Sequence, residues 1–433
     1  MYSRRLTSIL AVLRREVRHG RPFLEFTFLN AFGNVFLFAL PLLIARLLEP
    51  TIFGAYSLSI MVAYLFSALL LASTINPFVV KATEELREYR QIRKALSAWL
   101  VILAGGISLF AVISFVFAGP LTHFASVTAT QLGLLFLAYL GIAIRRALEA
   151  VFVALGQKLE STFVEIISGA FAIIFLVMTH MTFGITLDRI FLILFVAPLV
   201  TLVVMSHRLD RSKIMPITID RATVTELFGH MKWTLLGGAA MYLFNWGDNV
   251  VLRLFVPLHE IGSYNLGYQL FKGVVIMLGA VRVYFTPFLV QYIHEPAKIH
   301  HFLSHKRKRI MAAGALGIIS AMAVLPFLVR TFYGAEYEAT IPVALILIAS
   351  TFFTLHRIFY EALLNAMKRY RFTQLTTVCF VALNIGLDVL FVMRFGIIGA
   401  AIATSITYIA LAGSYEIHYR LRLKQELKEL TGS

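Results

Sequence analysis

Charged residues are scarce in this sequence: they make up 14% of its 433 residues, whereas hydrophobic residues make up 59%. A soluble globular protein carries roughly a quarter charged residues, so the composition excludes that class. A bilayer core about 30 Å thick takes roughly 20 helical residues to cross. The chain is therefore long and apolar enough for about a dozen crossings, which leave no room for a large soluble domain.

Several chemical signatures are also absent. The single cysteine, Cys379, lies in an apolar run, so neither a disulfide framework nor a cysteine-rich metal site is expected. The chain has no GxxxxGK[ST] loop for nucleotide phosphates, and no Asp-x-Asp pair or Ser-His-Asp arrangement on a long outer loop. His301 and His305 have the spacing of a helical zinc pair, but no third ligand of fixed geometry accompanies them. We therefore expect a protein that is not an enzyme and that holds neither a cofactor nor a metal.

What the sequence does contain is a series of long, nearly uncharged runs, six in each half. They cover residues 23–45, 55–78, 97–118, 131–150, 163–179, 190–205, 233–255, 262–285, 310–330, 340–360, 373–393 and 397–416. Cytoplasmic loops keep an excess of Lys and Arg. With the N-terminus inside, the inside segments hold 32 of the 39 Lys and Arg residues. The net charge of +16 is therefore a topology signal rather than a nucleic-acid surface, and the sequence predicts twelve helices with both termini in the cytoplasm.

These runs divide the chain into five predicted parts. A cytosolic basic amphipathic helix covers 1–22, two six-helix bundles cover 23–205 and 233–416, a cytosolic linker covers 206–232, and a basic tail covers 417–433. The first part has apolar residues at helical spacing and could equally be a basic tail that only sets orientation. In the linker, Thr223 and Glu226 have the spacing of a capping box, so we expect a helix to begin at Thr223.

Two pairs of segments resemble each other across the midpoint. ARLLEPTIFGAYSL (45–58) parallels LRLFVPLHEIGSYNL (252–266) with one gap, and RRALEAVFVAL (145–155) aligns with RIFYEALLNAM (357–367). A duplication of six helices places both halves in the membrane in the same direction. Parallel repeats of this kind build transporters whose binding site lies between the halves. The predicted fold is therefore an all-α integral membrane protein of two parallel six-helix bundles related by a pseudo-two-fold axis.

Longer phrases resemble a known family in their order and spacing. They are PLLIARLLEPTIFGAYSLSI (41–60), LFNWGDNVVLRLFVPLHEIGSYNLGYQL (243–270), FYGAEYEATIPVALILIAS (332–350), LLNAMKRYRFTQ (363–374) and LNIGLDVLFVMRFGIIGAAIATSITY (383–408). From about residue 23 to 416 the chain resembles the polysaccharide transporter family, the O-antigen type flippases of the multidrug/oligosaccharidyl-lipid/polysaccharide exporter superfamily.

This resemblance implies a twelve-helix transporter of the bacterial inner membrane. Its substrate would be a polyprenyl-diphosphate-linked oligosaccharide, moved from the inner to the outer leaflet by alternating access. The further partners that it implies are membrane lipids, a coupling proton or sodium ion and glycan-synthesis proteins.

Charges within the predicted spans are functional candidates, because an unpartnered charge in the bilayer core costs several kcal/mol. Lys272 lies ten residues into the eighth run, and Arg282 lies ten residues further, only about 80° round the same helix. We expect both side chains to face one cavity and to bind the diphosphate of the substrate. The alternatives are that Lys272 only pairs with Asp248, and that Arg282 only reaches the inner interface.

Asn245, Asp248 and Asn249 share one face of the seventh run at i, i+3, i+4 spacing. Their carboxylate and amides predict a site for a coupling proton or sodium ion, with a helix-packing patch as the alternative. Asn30 and Asn34, at i, i+4 in the first run, are further candidates for substrate binding, or act as interhelical glue.

Two i, i+4 pairs near the cytosolic ends of the fourth and tenth runs occupy matching positions of the repeat. These are Arg145 with Glu149, and Arg357 with Glu361. They predict either ion pairs within one helix or a latch at an inner gate. Over the whole chain, an ion-coupled exporter of small amphiphilic drugs and an integral-membrane enzyme or assembly factor of glycan synthesis stay open as alternative functions.

Overall fold

The architecture is that of a computed structural model, which describes residues 33, 35–36, 38–216, 218–293, 295–367, 369–423 and 425. The predicted amphipathic helix 1–22, most of the first predicted span and the candidates Asn30 and Asn34 lie outside the described residues. Residues 426–433, at the end of the predicted basic tail, lie outside them too.

Every regular element in the described residues is helical. The first part contains α1 (Phe38–Leu47), α2 (Pro50–Phe66), α3 (Ser73–Tyr89), α4 (Arg93–Val116), α5 (Ala118–Ala125), α6 (Ala129–Ala154), α7 (Lys158–Phe183), α8 (Leu187–Ser206) and α9 (Arg211–Ile214). A π-helical segment, Ser67–Ala72, joins α2 to α3.

The second part contains longer helices. They are α10 (Arg221–Phe255), α11 (Leu258–Gln291), α12 (Pro296–His301), α13 (Arg307–Phe332), α14 (Thr340–Ala366) and α15 (Tyr370–His418). Phe302–Lys306 and Tyr419–Leu423 are π-helical, and Ala335–Tyr337 forms a 3-10 turn.

Seven helical stretches of the described residues are long and apolar enough to cross a membrane. An eighth is added if α5 and α6, which meet at an angle of 89°, form one span. The sequence predicts twelve, and each predicted run from the second to the twelfth overlaps a described helix. α15 contains the last two predicted runs and is interrupted between them at Gly396. α10 and α11 contain the seventh and eighth runs, where polar residues interrupt the apolar sequence.

Large apolar side chains on these helices are exposed, as a lipid-facing surface requires. Phe115, Met181 and Met277 are each more than three-quarters exposed. A surface of this kind in water would cause aggregation, whereas in a bilayer it lies against acyl chains. The exposed residues therefore agree with a multi-pass membrane protein.

The chain divides into two compact units. Unit 1 is drawn from Met1–Pro41, Ala63–Leu121 and Thr128–Leu235, and unit 2 from Leu42–Val62, Thr122–Val127 and Leu236–Ser433. Stacked aromatic rings stabilise unit 1, where the ring centroids of Phe78 and Trp99 are 4.1 Å apart. Unit 2 has a buried apolar cluster in which Phe285, Phe302 and Phe359 pack against one another.

The repeated Gly-x-Tyr-x-Leu segments meet within unit 2. A Cβ atom on Gly54 would lie 2.2 Å from the carbonyl oxygen of Leu258, and one on Gly262 would lie 1.9 Å from that of Pro50. Pro50 and Leu258 each precede the glycine of their own segment by four residues. Each glycine therefore contacts the partner's equivalent residue, which is the reciprocal pattern of a two-fold pair.

The start of α10 differs from the sequence prediction. The capping box predicted at Thr223 and Glu226 is wrong, because α10 begins at Arg221 and its capping residue is Asp220. The Asp220 carboxylate accepts hydrogen bonds from the Thr223 hydroxyl at 2.7 Å and from the backbone N–H of Ala222 at 3.3 Å. These bonds lower the pKa of Asp220 below its ordinary value. Glu226 instead pairs with Lys81 at 2.7 Å.

The backbone contact between α2 and α11 generates a first prediction. Gly262→Ala places a methyl group against the Pro50 carbonyl, so we expect it to lower the free energy of unfolding by about 1–3 kcal/mol. The matched control is Gly279→Ala in the same helix, where nothing lies within 4 Å of the new methyl group. Thermal unfolding of the purified protein in detergent measures both, and equal melting temperatures would contradict the contact.

Candidate functional site

A network of buried polar side chains joins α10 to α11 within unit 2. Asp248, 4% exposed, accepts a hydrogen bond from the Tyr264 hydroxyl through one carboxylate oxygen. Its other oxygen accepts from the backbone N–H of Asn249 at 3.0 Å. The Asn265 side-chain amide donates to the Asn249 carbonyl oxygen at 2.6 Å. Each polar group thus has a partner that compensates for the loss of water.

A second buried carboxylate, Asp388, belongs to the first arm of α15. It is fully buried, and one of its oxygens accepts a hydrogen bond from the Asn384 amide at 2.8 Å. Its other oxygen, Oδ1, has no hydrogen-bond partner among the described residues. Asp388 and Asp248 lie close enough to interact electrostatically. Two acidic side chains therefore share one apolar interior.

The second arm of α15, beyond the break at Gly396, carries another buried polar group without a partner among the described residues. Gly396 adopts φ 55° and ψ −137°, and a Cβ on Gly399 would lie 2.2 Å from the Phe391 carbonyl oxygen. Residues eight positions apart are about 12 Å apart along a straight helix, so the chain reverses here. Thr404, in the arm beyond this reversal, is buried, and its hydroxyl lacks a partner among the described residues.

Lys272 lies between two aromatic rings. Its ammonium nitrogen is 4.9 Å from the ring centroid of Trp246 and 4.6 Å from that of Tyr268. These rings stabilise the cation through its attraction to their π faces. Among the described residues no carboxylate lies within the 4.0 Å of an ion pair, although Lys272 and Asp248 interact electrostatically over a longer distance. The described residues therefore show no direct ion pair between Lys272 and Asp248, and the alternative in which the two only pair with each other stays a prediction.

Arg282 lies apart from Lys272, on the same helix. Its guanidinium is 3.6 Å from the Glu361 carboxylate, and its side chain is 54% exposed. Ten residues of helix separate the two cations by about 15 Å. The structure therefore brings Arg282 to Glu361 and shows no contact that joins it to Lys272. Asn245 also lies outside the network, because its amide donates to the Met241 carbonyl of its own helix at 2.7 Å.

The two predicted i, i+4 pairs are both present. Glu149 lies 2.6 Å from Arg145 and 3.1 Å from Arg146, within unit 1. Glu361 lies 3.7 Å from Arg357, within unit 2. Each glutamate therefore contacts a second arginine besides its i, i+4 partner: Arg146 for Glu149, and Arg282 for Glu361.

Sequence reasoning missed part of this site. Asn384 and Asp388 have the same i, i+4 spacing of amide and acid that singles out the seventh run, and this signal was available in LNIGLDVLF (383–391). Tyr264 and Asn265 carry no charge, and nothing in their spacing marks them as partners of residues sixteen positions earlier. Their role depends on how α10 packs against α11.

No group of three or more His, Cys, Asp or Glu residues that could hold a metal ion occurs in the part of the chain that the structure describes. The His301 and His305 rings stack with their centroids 4.8 Å apart. An oxygen site for a monovalent cation has different requirements, since hydroxyl, amide and carboxylate oxygens suffice for it.

Comparison with known proteins shows which family the sequence matches. The family model described as "Polysaccharide biosynthesis protein" matches residues 43–342. The probable low-salt glycan biosynthesis flippase Agl15 of Haloferax volcanii is 23% identical over 188 residues, which are 42% of this chain and 39% of that relative. The match thus spans well under half the length of the relative.

Solved structures share the fold over nearly the whole chain. The lipid II flippase MurJ, in its inward closed conformation, gives a TM-score of 0.75 at 14% identity and covers 94% of this chain and 90% of that chain. The inward-facing conformation of a multidrug resistance MATE family transporter of the MOP superfamily gives a TM-score of 0.74 at 12% identity, and the coverage is 92% and 96%. At such identities the likeness establishes a common all-helical membrane fold.

The hydrogen bond between Tyr264 and Asp248 generates a second prediction. Tyr264→Phe removes a donor from a buried acid, so we expect the free energy of unfolding to fall by about 1–3 kcal/mol. In a double-mutant cycle with Asp248→Ala, the effect of Tyr264→Phe should largely disappear, because its partner is already gone. Tyr89→Phe, at an exposed tyrosine, is the control. Additive effects of the two substitutions would show that the pair is not coupled.

Proposed function

The chain belongs to the polysaccharide biosynthesis protein family, and from this premise we propose that it is a flippase for a lipid-diphosphate-linked oligosaccharide. It moves the substrate from the inner to the outer leaflet of a bacterial inner membrane by alternating access, for surface polysaccharide of the O-antigen type. The glycan flippase named among its relatives and the fold shared with a lipid II flippase support this assignment.

Twelve membrane crossings in two parallel six-helix bundles are part of the proposal, with both termini in the cytoplasm. Each of the twelve predicted runs overlaps a described helix, and the break at Gly396 separates the last two. The reciprocal contact of Gly54 and Gly262 supports a duplicated six-helix unit.

The observation that carries the proposal is the environment of Lys272. Trp246 and Tyr268 surround the ammonium, and no carboxylate in the described part of the chain occupies its hydrogen-bond donors. A cation held in this way keeps its N–H groups available for an anion. A diphosphate that leaves water needs such charge-assisted hydrogen bonds to replace its hydration. We therefore assign Lys272 to the diphosphate of the substrate, whereas Arg282, paired with Glu361, serves as a second contact nearer the inner interface.

A third prediction follows for Lys272. Lys272→Ala should lower the rate of lipid-linked glycan translocation at limiting substrate by roughly tenfold or more, the value of one charged hydrogen bond. Lys272→Arg, which keeps a cation, should retain more of the rate. The measurement is the appearance of a lipid-diphosphate glycan in the outer leaflet of proteoliposomes at equal protein amounts. Lys308→Ala removes an exposed lysine of the same unit as a control, and a normal rate in Lys272→Ala would refute the assignment.

Coupling to an ion is assigned to Asp248 and Asp388. Two carboxylates in one apolar interior do not both carry a charge unless a cation compensates them. The oxygens of Asp388 and Thr404 that lack partners in the described region, together with the amides of Asn249 and Asn384, suit either a proton or a sodium ion. Asn245, which bonds to its own helix, contributes less.

This assignment yields a fourth prediction. Asp388→Asn keeps the shape of the side chain but removes its charge, so translocation should lose its stimulation by an imposed ion gradient. Separate proton and sodium gradients across proteoliposomes identify the ion. Glu338→Gln, at an exposed glutamate, is the control. Full stimulation of Asp388→Asn by both gradients would exclude a role for this acid.

The pairs Arg145–Glu149 and Arg357–Glu361 are assigned to the cytosolic gate. Their support is that they form at equivalent positions of the repeat and that each includes a second arginine. Asn30 and Asn34 remain proposed substrate contacts of the first predicted span.

The alternative function is an ion-coupled multidrug exporter of the same superfamily. It is favoured by the fold shared with the multidrug resistance MATE family transporter and by the two buried acids. Export of cationic dyes by proteoliposomes, without movement of a lipid-linked glycan, would support it over the flippase.

A further inference from the structure

A basic cavity lies in unit 2, outside the polar network of α10, α11 and α15. It is a partly open depression of about 430 Å³ between the end of α11 and the segment from α12 to the start of α13, and both of its lysines are exposed. Its lining residues are Tyr292, Ala297, Lys298, His301, Phe302 and Lys306. Two lysines, a histidine and two aromatic rings therefore face one space, and none of them belongs to the proposed transport site.

The local helix geometry explains why these side chains converge. Lys298, Phe302 and Lys306 are spaced four residues apart, and in a regular α-helix each step of four rotates the side chain by a further 40°. Phe302–Lys306 is instead π-helical, with the wider i→i+5 turn. This turn offsets the rotation, so the three side chains stay on one face. π-helical turns of this kind frequently occur at functional sites.

The positive charge of the cavity favours the binding of an anion. Lys298 is 54% exposed and pairs with Glu295 at 2.7 Å, while its ammonium lies 4.3 Å from the Tyr292 ring centroid. An exposed pair of this type contributes little and exchanges readily for another anion. In the described part of the chain no carboxylate lies within 4 Å of Lys306. The cavity thus has one cation without an acidic partner and a second whose partner is easily displaced.

The position of the cavity along the chain indicates that the anion belongs to a lipid. Lys306 lies four residues before the apolar run 310–330. The cavity therefore lies where α13 enters the membrane. The sequence places this end of α13 at the cytoplasmic surface, and basic pockets at such positions bind anionic headgroups. We infer that this cavity binds the phosphate of a lipid headgroup in the cytosolic leaflet, with Lys298 and Lys306 as its two cationic contacts.

Two lipids could supply that phosphate: an anionic phospholipid of the membrane, or the diphosphate-linked carrier before it enters the transport site. The inference rests on the membrane orientation of the proposed function, which places this end of α13 at the cytoplasmic surface. It does not depend on translocation. A protein that fails to translocate would still bind the headgroup if the inference is right, so a binding measurement separates the two.

The test is native mass spectrometry of the full-length protein in detergent with two probes, a short-chain phosphatidylglycerol and a short-chain polyprenyl diphosphate. The pocket variant is Lys298→Ala with Lys306→Ala. The matched control, Lys308→Ala with Arg309→Ala, removes the same charge from the same segment at exposed positions outside the cavity. Lys298→Arg with Lys306→Arg keeps both charges and guards against a variant that merely misfolds.

We expect the pocket variant to weaken binding of at least one probe roughly tenfold or more, because two charge-assisted contacts are lost. The control and the arginine variant should bind nearly as the wild type does. Selective loss of phosphatidylglycerol binding identifies a phospholipid site, and selective loss of diphosphate binding identifies an entry site for the carrier. Unchanged binding of both probes, or an equal loss in the control, would overturn the inference.

Discussion

The cost of placing charge in an apolar interior is the constraint on which this structure depends. The interior of unit 2 contains two buried acids and a lysine, and each of these groups is stabilised differently. Asp248 receives hydrogen bonds from Tyr264 and Asn249, Asp388 receives one from Asn384, and Lys272 lies against two aromatic rings. Such an arrangement costs stability, because apolar residues of similar size would pack without the cost of burying charge. We therefore expect it to serve a function.

The buried polar network of Asp248, Asn249 and Asp388 lies within unit 2. Unit 1 has a different set of charges, in which Arg145 and Arg146 contact Glu149 on one helix. The repeat is nevertheless visible where Gly54 and Gly262 meet, since only a residue without a side chain fits against the opposite carbonyl oxygen. A backbone contact of this kind tolerates little change, whereas the side chains of the two units are free to diverge.

The sequence predicted the helices well because the periodic loss of charge is a strong and local signal. It placed Asn245, Asp248 and Asn249 on one face, of which the last two are buried in the polar network. It also paired Arg145 with Glu149 and Arg357 with Glu361. Of the two aromatic neighbours of Lys272, Tyr268 lies four residues earlier on the same helix and was legible from spacing. The sequence could not predict Trp246, because it reaches Lys272 only through the packing of α10 on α11. It also overlooked Asp388, whose spacing from Asn384 was legible, and it placed the cap of α10 at Thr223 rather than Asp220. Both errors concern polar residues with a neighbouring polar residue that could take the same role, as a buried acid or as a helix cap.

In the proposed function, the diphosphate of the substrate binds beside Lys272 in unit 2. The most direct measurement is photo-crosslinking with a polyprenyl-diphosphate probe that carries its reactive group next to the phosphates, followed by mapping of the modified peptides. We expect the probe to modify α10 and α11 around Trp246 and Tyr268. Unlabelled lipid-linked glycan should suppress this modification. Saturable modification confined to other helices, with none near Lys272, would contradict it.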